Sequence, residues 1–175
     1  IAKTLQEHHV DYLAVAVADE GSELRKAGIT SSIIIMDPEL TAFKTMFDYK
    51  LEPEVYNFHL LDALIKAAEK EGITNFPIHV KLDTGMHRLG FEAEDIPLLI
   101  RRLKNQNAVI PRSVFSHFVG SDSLLNLTLS PGSKSNCLKK ARKNCRRLSR
   151  IRFYAISAIR QESSVFPEHS LTWYG

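Results

Sequence analysis

Residues 79–91 read HVKLDTGMHRLGF, and this segment is the most informative part of the sequence. The apolar run that ends at Leu82 predicts a buried β-strand, which is followed by an acid, a hydroxyl, a glycine and Arg88. In α/β proteins, the loops after the carboxyl ends of strands present polar groups to ligands. We therefore interpret the segment as a candidate site; a solvated turn between a strand and a helix is the alternative.

Strand patterns and helix patterns alternate along the chain as far as residue 118. We predict strands at 12–17, 32–36, 53–57, 76–82 and 112–118, with helices at 19–28, 39–48, 60–71 and 93–104. Such βα repeats with short connections indicate an α/β fold with a parallel sheet, and their even spacing favours a TIM (β/α)₈ barrel. Because a complete barrel needs ~250 residues, we predict a partial barrel of about five βα units.

The composition is that of one globular domain with a core, with 175 residues of which 44% are apolar. No apolar run approaches the ~20 residues of a membrane span, so we expect no membrane partner. Cys137 and Cys145 are too few for a disulfide framework, which favours a cytoplasmic protein, and we expect no metal site. The start has neither an initiator Met nor a signal peptide, so we interpret the chain as a fragment.

Positive charge is concentrated near the C terminus. Residues 134–152 contain nine Lys or Arg and no acid, and because the whole chain carries +3, the rest carries −6. Such a stretch can bind nucleic-acid phosphates with a strong dependence on salt. It has no interleaved aromatic residues and no known binding motif, so a nucleic-acid-binding module ranks second among the functions that we consider.

Residues 81–91 closely resemble a segment of bacterial alanine racemases. Residues 11–16 with Glu20-Gly21 resemble the second barrel strand of that family and its helix, and residues 116–118 with Ser121-Asp122 resemble a strand end that carries a histidine. The resemblance implies a homodimeric isomerase that uses pyridoxal phosphate to interconvert L-alanine and D-alanine for peptidoglycan synthesis. In this family a barrel domain precedes a β-domain, and some members are fused behind a cell-wall ligase.

The resemblance assigns three residues to the surroundings of the cofactor. Lys81 matches a lysine that is carbamylated in many members and then anchors an arginine; Arg88 matches that arginine, which donates to the phenolic oxygen of the cofactor. His117 matches a histidine beside the pyridine ring that helps to hold another arginine. A guanidinium with a carboxylate-like partner suits such a fixed hydrogen bond. Without the resemblance, Lys81 is an ordinary sheet lysine and His117 a hydrogen-bonded core histidine.

The two catalytic groups of the family have no match in this sequence. The Schiff-base lysine of the family ends the first barrel strand, upstream of Ile1, and neither Lys3 nor Lys26 has the setting expected of it. The second acid/base group is a tyrosine of the C-terminal domain. Racemisation needs a base on each face of the reacting carbon, so we expect the chain alone to be inactive and to form no covalent bond with the cofactor.

We divide the sequence into a partial racemase barrel domain at 1–122 and a basic tail at 123–175. In the tail the periodicity is lost, and two segments expected from the resemblance, Asn-Ser-Ala and Phe-Asp-x-Val-Arg, are absent. Codons for AGIERF can yield QESSV, the sequence of residues 161–165, when they are read out of frame. Codons for FDMVR can in the same way yield LTWYG, the sequence of residues 171–175. We therefore interpret the tail as frameshifted.

Resequencing of the coding locus tests the frameshift. We expect an inserted or deleted base among the codons that follow residue 122, and the corrected frame should encode the two segments that the tail lacks. A clean open frame that continues to an ordinary gene boundary contradicts the interpretation.

Overall fold

The computed structural model describes residues 1–116 and the backbone of residues 152–153. The helices are α1 to α5 and the strands β1 to β6, and a short 3-10 turn at Leu40–Ala42 precedes α3. In chain order the elements are α1 Ala2–Glu7, β1 Tyr12–Val15, α2 Ala18–Lys26, β2 Ser32–Ile35, α3 Phe43–Asp48, β3 Glu52–Val55, α4 Phe58–Lys70, β4 Phe76–Leu82, α5 Ile96–Lys104, β5 Val109–Ser116 and β6 Arg152–Phe153.

The strands form one sheet in which their spatial order follows their order in the chain, from β1 to β6. β1 pairs in parallel with β2, with Tyr12 opposite Ser32, and β2 pairs in parallel with β3. β6 pairs in parallel with β5. Parallel neighbours need a crossover connection, usually a helix, and α2, α3, α4 and α5 occupy the four successive connections from β1 to β5. This arrangement is that of consecutive βα units of a barrel.

Most predicted elements are present, and their ends differ from the prediction for local reasons. β4 has the predicted bounds. α4 begins at Phe58 because the side chain of Asn57 caps it, with Oδ1 accepting a 2.8 Å hydrogen bond from the backbone N of Leu60. β5 begins at Val109, before the predicted residue 112. The Gln106 side chain bonds both the N and the O of Val109, which fixes the chain as it enters this strand.

The chain forms two compact units, and the first comprises Ile1–His79 with Gln106–Ile110. In β2, the fully buried Ile33 and Ile35 alternate with half-buried residues, as expected of a strand with one face in the core. Helix α2 approaches closely at Gly21. A Cβ on Gly21 would lie 2.9 Å from Cδ1 of Leu51 and 3.1 Å from Cδ1 of Ile35, so a larger residue here would push the ends of these two side chains aside.

Of the residues that the structure describes, the second unit comprises Val80–Asn105, residues 111–116 and the backbone of residues 152–153. Helix α5 buries Ile96, Leu99 and Leu103, which have the spacing of one helix face. Pro97 stands in the first turn of this helix, where a missing backbone N–H removes no hydrogen bond within the helix. Among the described residues of this unit, the buried apolar side chains are Val80, Leu82, Phe91, Ile96, Leu99, Leu103, Val114 and Phe115.

Arg25, near the end of α2, holds several loop carbonyl groups in the first unit. Its Nη1 donates to the O of Ile29 at 2.9 Å and to the O of Ser31 at 2.6 Å. Its Nε donates to the O of Tyr49 at 3.0 Å, and Nη2 donates to the O of Lys50 at 3.2 Å. One guanidinium therefore satisfies acceptors in the loop that leads to β2 and in the loop that follows α3.

We expect Arg25→Lys to lower the free energy of unfolding by about 2 kcal/mol, because an ammonium cannot reach all four carbonyl groups in the geometry of a guanidinium. Urea denaturation followed by circular dichroism measures the change. The matched control is Arg101→Lys on the exposed face of α5, which should have little effect. Equal destabilisation by both substitutions would contradict the role of Arg25.

Candidate functional site

Residues 83–90, which follow β4 and are here called the β4 loop, are organised around one carboxylate. Oδ1 of Asp83 accepts hydrogen bonds from the backbone N of Gly85 at 2.8 Å, of Met86 at 3.0 Å and of His87 at 3.1 Å. The Asp83 side chain is 8% exposed. Burial alone raises the pKa of Asp83, but the three N–H donors and the nearby His87 outweigh it and set the pKa below its ordinary value.

Backbone contacts close the two ends of the β4 loop onto each other. The N of Asp83 donates to the O of Phe91 and the N of Phe91 donates to the O of Lys81, both at 2.9 Å. Gly90 has a φ of +135°. A Cβ on Gly90 would lie 2.4 Å from the N of Asp83 and 2.5 Å from the C of Leu82, so both the conformation and the space at this position require glycine.

A chain of hydroxyl groups joins the ends of β4 and β5 within the second unit. Oγ of Ser116 donates to the O of Leu82 at 2.8 Å, and Oγ1 of Thr84 lies 2.7 Å from Oγ of Ser116. Because Ser116 uses its only hydrogen on the carbonyl group, Thr84 must be the donor in the second bond. The first residues of the β4 loop are thus tied to the last residue of β5.

The structure describes two of the three predicted site residues. Lys81 lies in β4 next to its last residue and is 5% exposed, with Nζ 5.7 Å from the centroid of the Phe115 ring. Arg88 is exposed on the β4 loop. Within residues 1–116 the Arg88 side chain forms no hydrogen bond or ion pair. His117 and nearly all of the basic stretch 134–152 lie outside the described residues.

Sequence reasoning overlooked a buried polar cluster in the first unit. Nε2 of His79 lies 2.8 Å from Oε2 of Glu52, and the two side chains are 0% and 6% exposed. The ring of Tyr12 packs edge-on against His79, with centroids 5.3 Å apart. The signal was the segment 51–55, LEPEV, in which two acids alternate within a strand that the structure buries completely.

Sequence reasoning also missed two polar residues, Asp37 after β2 and Tyr56 after β3. Burial raises the pKa of Tyr56, and the negative charges of Asp37 and Glu54 raise it further. A phenol is protonated at neutral pH even at its ordinary pKa, so Tyr56 can donate a hydrogen bond. Among the described residues, no group of His, Cys, Asp and Glu has an arrangement that could hold a metal ion. In the same part of the chain, none of the helices combines the length and the apolar composition of a membrane span.

We expect Gly90→Ala to lower the free energy of unfolding by about 3 kcal/mol, because the new methyl group would meet backbone atoms that cannot move aside. Gly85→Ala is the matched control. Gly85 also has a positive φ, of +121°, but a Cβ there meets no atom within 4 Å, so this change should cost only about 1–2 kcal/mol of conformational strain. Urea denaturation of both variants measures the difference; equal costs would show that space at Gly90 is not limiting.

Comparison with known proteins places the β4 loop and its strand in a recognised domain. Residues 1–158 match the family model "Alanine racemase, N-terminal domain". Over 124 residues the chain is 36% identical to alanine racemase 1 of Clostridium acetobutylicum, a match that covers 70% of this chain and 32% of that protein. It is also 36% identical over 115 residues to alanine racemase of Desulfovibrio desulfuricans, with 64% and 30% covered. The chain therefore spans about a third of the length of these relatives.

Solved structures show the same relationship. Alanine racemase of Clostridium difficile 630 superposes with a TM-score of 0.82 at 26% identity, over 98% of this chain and 44% of that chain. Alanine racemase from E. faecalis gives a TM-score of 0.76 at 26% identity, over 88% and 41%. The predicted α/β fold, a partial (β/α)₈ barrel, is confirmed, and so is the predicted resemblance. This chain belongs to the alanine racemase family, and what it matches is the N-terminal domain of that family.

Proposed function

We propose that this chain is the N-terminal barrel domain of a pyridoxal-phosphate-dependent alanine racemase, an isomerase of D-alanine biosynthesis that serves peptidoglycan synthesis. The supporting observation is the β4 loop, which presents Arg88 at the carboxyl end of a barrel strand within a domain that matches the family. From the same resemblance we propose a cytoplasmic location, alanine as the substrate and assembly as a homodimer. The boundary at residue 122 and a fused cell-wall ligase are also proposals.

The residues in the β4 region fit such a cofactor. Pyridoxal phosphate carries a phenolic oxygen and a phosphate, both of which accept hydrogen bonds from a guanidinium. Arg88 has its donors free of partners within residues 1–116 and stands on a loop that is closed at both ends. We propose that Arg88 donates to the phenolic oxygen, and that His117 lies beside the pyridine ring.

For Lys81 we propose a role as anchor of Arg88. Lys81 is buried next to the last residue of β4, which is a position from which a lengthened side chain can extend toward the loop. Carbamylation joins the neutral Nζ amine to carbon dioxide with loss of one proton. Since the ammonium form must first lose a proton as well, the reaction releases two protons in total and converts a cation into an anionic acceptor for a guanidinium. When bound, the cofactor supplies an electron sink for proton removal at the amino-acid Cα.

We also propose that the polypeptide of the printed sequence has no racemase activity by itself. Inversion at Cα requires one acid/base group on each face of the reacting carbon. Neither of the two groups that the resemblance assigns to this task matches a residue of the sequence. Within residues 1–116, Lys81 is the one lysine in a strand, while Lys3 and Lys26 lie in helices α1 and α2.

The test of inactivity uses the purified chain with L-alanine and pyridoxal phosphate. We expect no D-alanine, measured by a coupled D-amino-acid oxidase assay, and no absorbance band from a covalent cofactor. Interconversion of the two alanine enantiomers would overturn the proposal of inactivity.

Cofactor recognition is tested with pyridoxine phosphate, which keeps the phenolic oxygen and the phosphate but has no aldehyde to react with lysines. We expect Arg88→Ala to weaken its binding about tenfold by titration calorimetry, because a charge-assisted hydrogen bond is lost. Arg101→Ala, an exposed arginine of α5, is the matched control and should bind like the unmodified chain. Equal affinity of the Arg88→Ala variant would contradict the proposed role of Arg88.

A further inference from the structure

We propose that Asp83 is a positioning residue for Arg88, and that it acts by holding the backbone of the β4 loop. This inference rests on the proposed function, in which Arg88 meets the cofactor. It concerns how a loop residue whose side chain has no partner within residues 1–116 is kept in one place.

The first observation is that the hydrogen bonds of Asp83 end directly before Arg88. The backbone N–H groups of Gly85, Met86 and His87 converge on one oxygen of Asp83, at 2.8, 3.0 and 3.1 Å. Arg88 is the next residue. The direction in which the chain reaches Arg88 is therefore set by the Asp83 carboxylate.

The second observation is that little else in the described part of the chain fixes Arg88. Its side chain forms no hydrogen bond or ion pair with residues 1–116, so its direction follows from the backbone. Residues 85–88 are exposed, and the loop contains positive φ values at Gly85, His87 and Gly90. Such a segment has many alternative conformations when its N–H groups bond to water, and each alternative moves the guanidinium.

The third observation is that Asp83 is itself well anchored. Its backbone N donates to the O of Phe91 at 2.9 Å, and its side chain is 8% exposed. The next residue, Thr84, is buried and bonded to Ser116. Because the Asp83 carboxylate is buried and fixed next to β4, it can hold the exposed loop in a defined position relative to that strand. A mobile acceptor could not do so.

The role requires an acceptor oxygen and is strengthened by charge. Asp83→Asn keeps an oxygen that can accept the three N–H bonds but removes the negative charge, whereas Asp83→Ala removes both. Comparison of the two variants therefore tests whether the loop needs an acceptor oxygen at this position. A loss of amide protection or of affinity that occurs in Asp83→Ala but not in Asp83→Asn is attributable to the hydrogen bonds that the Asp83 carboxylate accepts.

The experiment compares the full chain with the variants Asp83→Ala, Asp83→Asn, Arg88→Ala and the double variant Asp83→Ala/Arg88→Ala. Amide hydrogen exchange by NMR is followed at Gly85, Met86 and His87, and at Phe91, whose N bonds to the O of Lys81 and reports that β4 is intact. Calorimetry gives the affinity for pyridoxine phosphate. Both measurements can be made on a chain that does not turn over alanine.

We expect Asp83→Ala to speed exchange about tenfold or more at residues 85–87 while Phe91 stays protected. It should also weaken pyridoxine phosphate binding to near the level of Arg88→Ala. Asp83→Asn should recover most of both properties. In the double variant, Asp83→Ala should add no further loss of affinity, since a residue that acts through Arg88 has no effect once Arg88 is absent.

Unchanged exchange at residues 85–87 in Asp83→Ala would overturn the proposal, whatever the affinity of this variant for pyridoxine phosphate. Faster exchange with unchanged affinity, while Arg88→Ala binds weakly, would overturn the positioning role and leave the proposed function standing. If Arg88→Ala binds as tightly as the unmodified chain, the proposed function of Arg88 fails, and the positioning role fails with it. Loss of protection at Phe91 in Asp83→Ala but not in Asp83→Asn, without separate loosening of 85–87, would assign Asp83 to folding and overturn the inference.

Discussion

Parallel strand pairing is the constraint on which this structure depends. β1, β2 and β3 pair in parallel, and each strand returns to the sheet through a helix. A parallel strand cannot turn back through a tight hairpin, so all carboxyl ends point to the same edge and each is followed by a loop. The β4 loop, Asp37 after β2 and Tyr56 after β3 owe their positions to this rule, because each begins within two residues of the carboxyl end of a strand.

The sheet also carries more polar groups than a simple apolar core requires. Glu52 and His79 are buried in contact with each other. Lys81, which lies two residues after His79 in β4, is buried as well. Removing such groups from water is costly unless they are hydrogen-bonded or paired, so each one restricts which neighbours the strand can accept.

Local regularities could be predicted from the sequence because they depend on neighbouring residues. The apolar run before Leu82 predicted β4 with its observed bounds, and the spacing of Leu61 and Leu64 predicted most of α4. The ends were less predictable. The sequence pattern predicts Asn57 at the end of a strand, yet Asn57 caps α4, because its side chain reaches the N of Leu60 only when the chain has already turned into the helix.

The candidate site divides in the same way between what the sequence determined and what the tertiary structure decided. The sequence by itself determined the fold class, the family and the candidates Lys81 and Arg88, since motif and periodicity are properties of consecutive residues. Only the tertiary structure decided that Glu52 meets His79 and that Thr84 meets Ser116, since these partners come from different strands or from the loop that follows one. Such contacts depend on register and strand order, which no short stretch of sequence specifies, because side chains far apart in the chain meet only when the backbone brings them together.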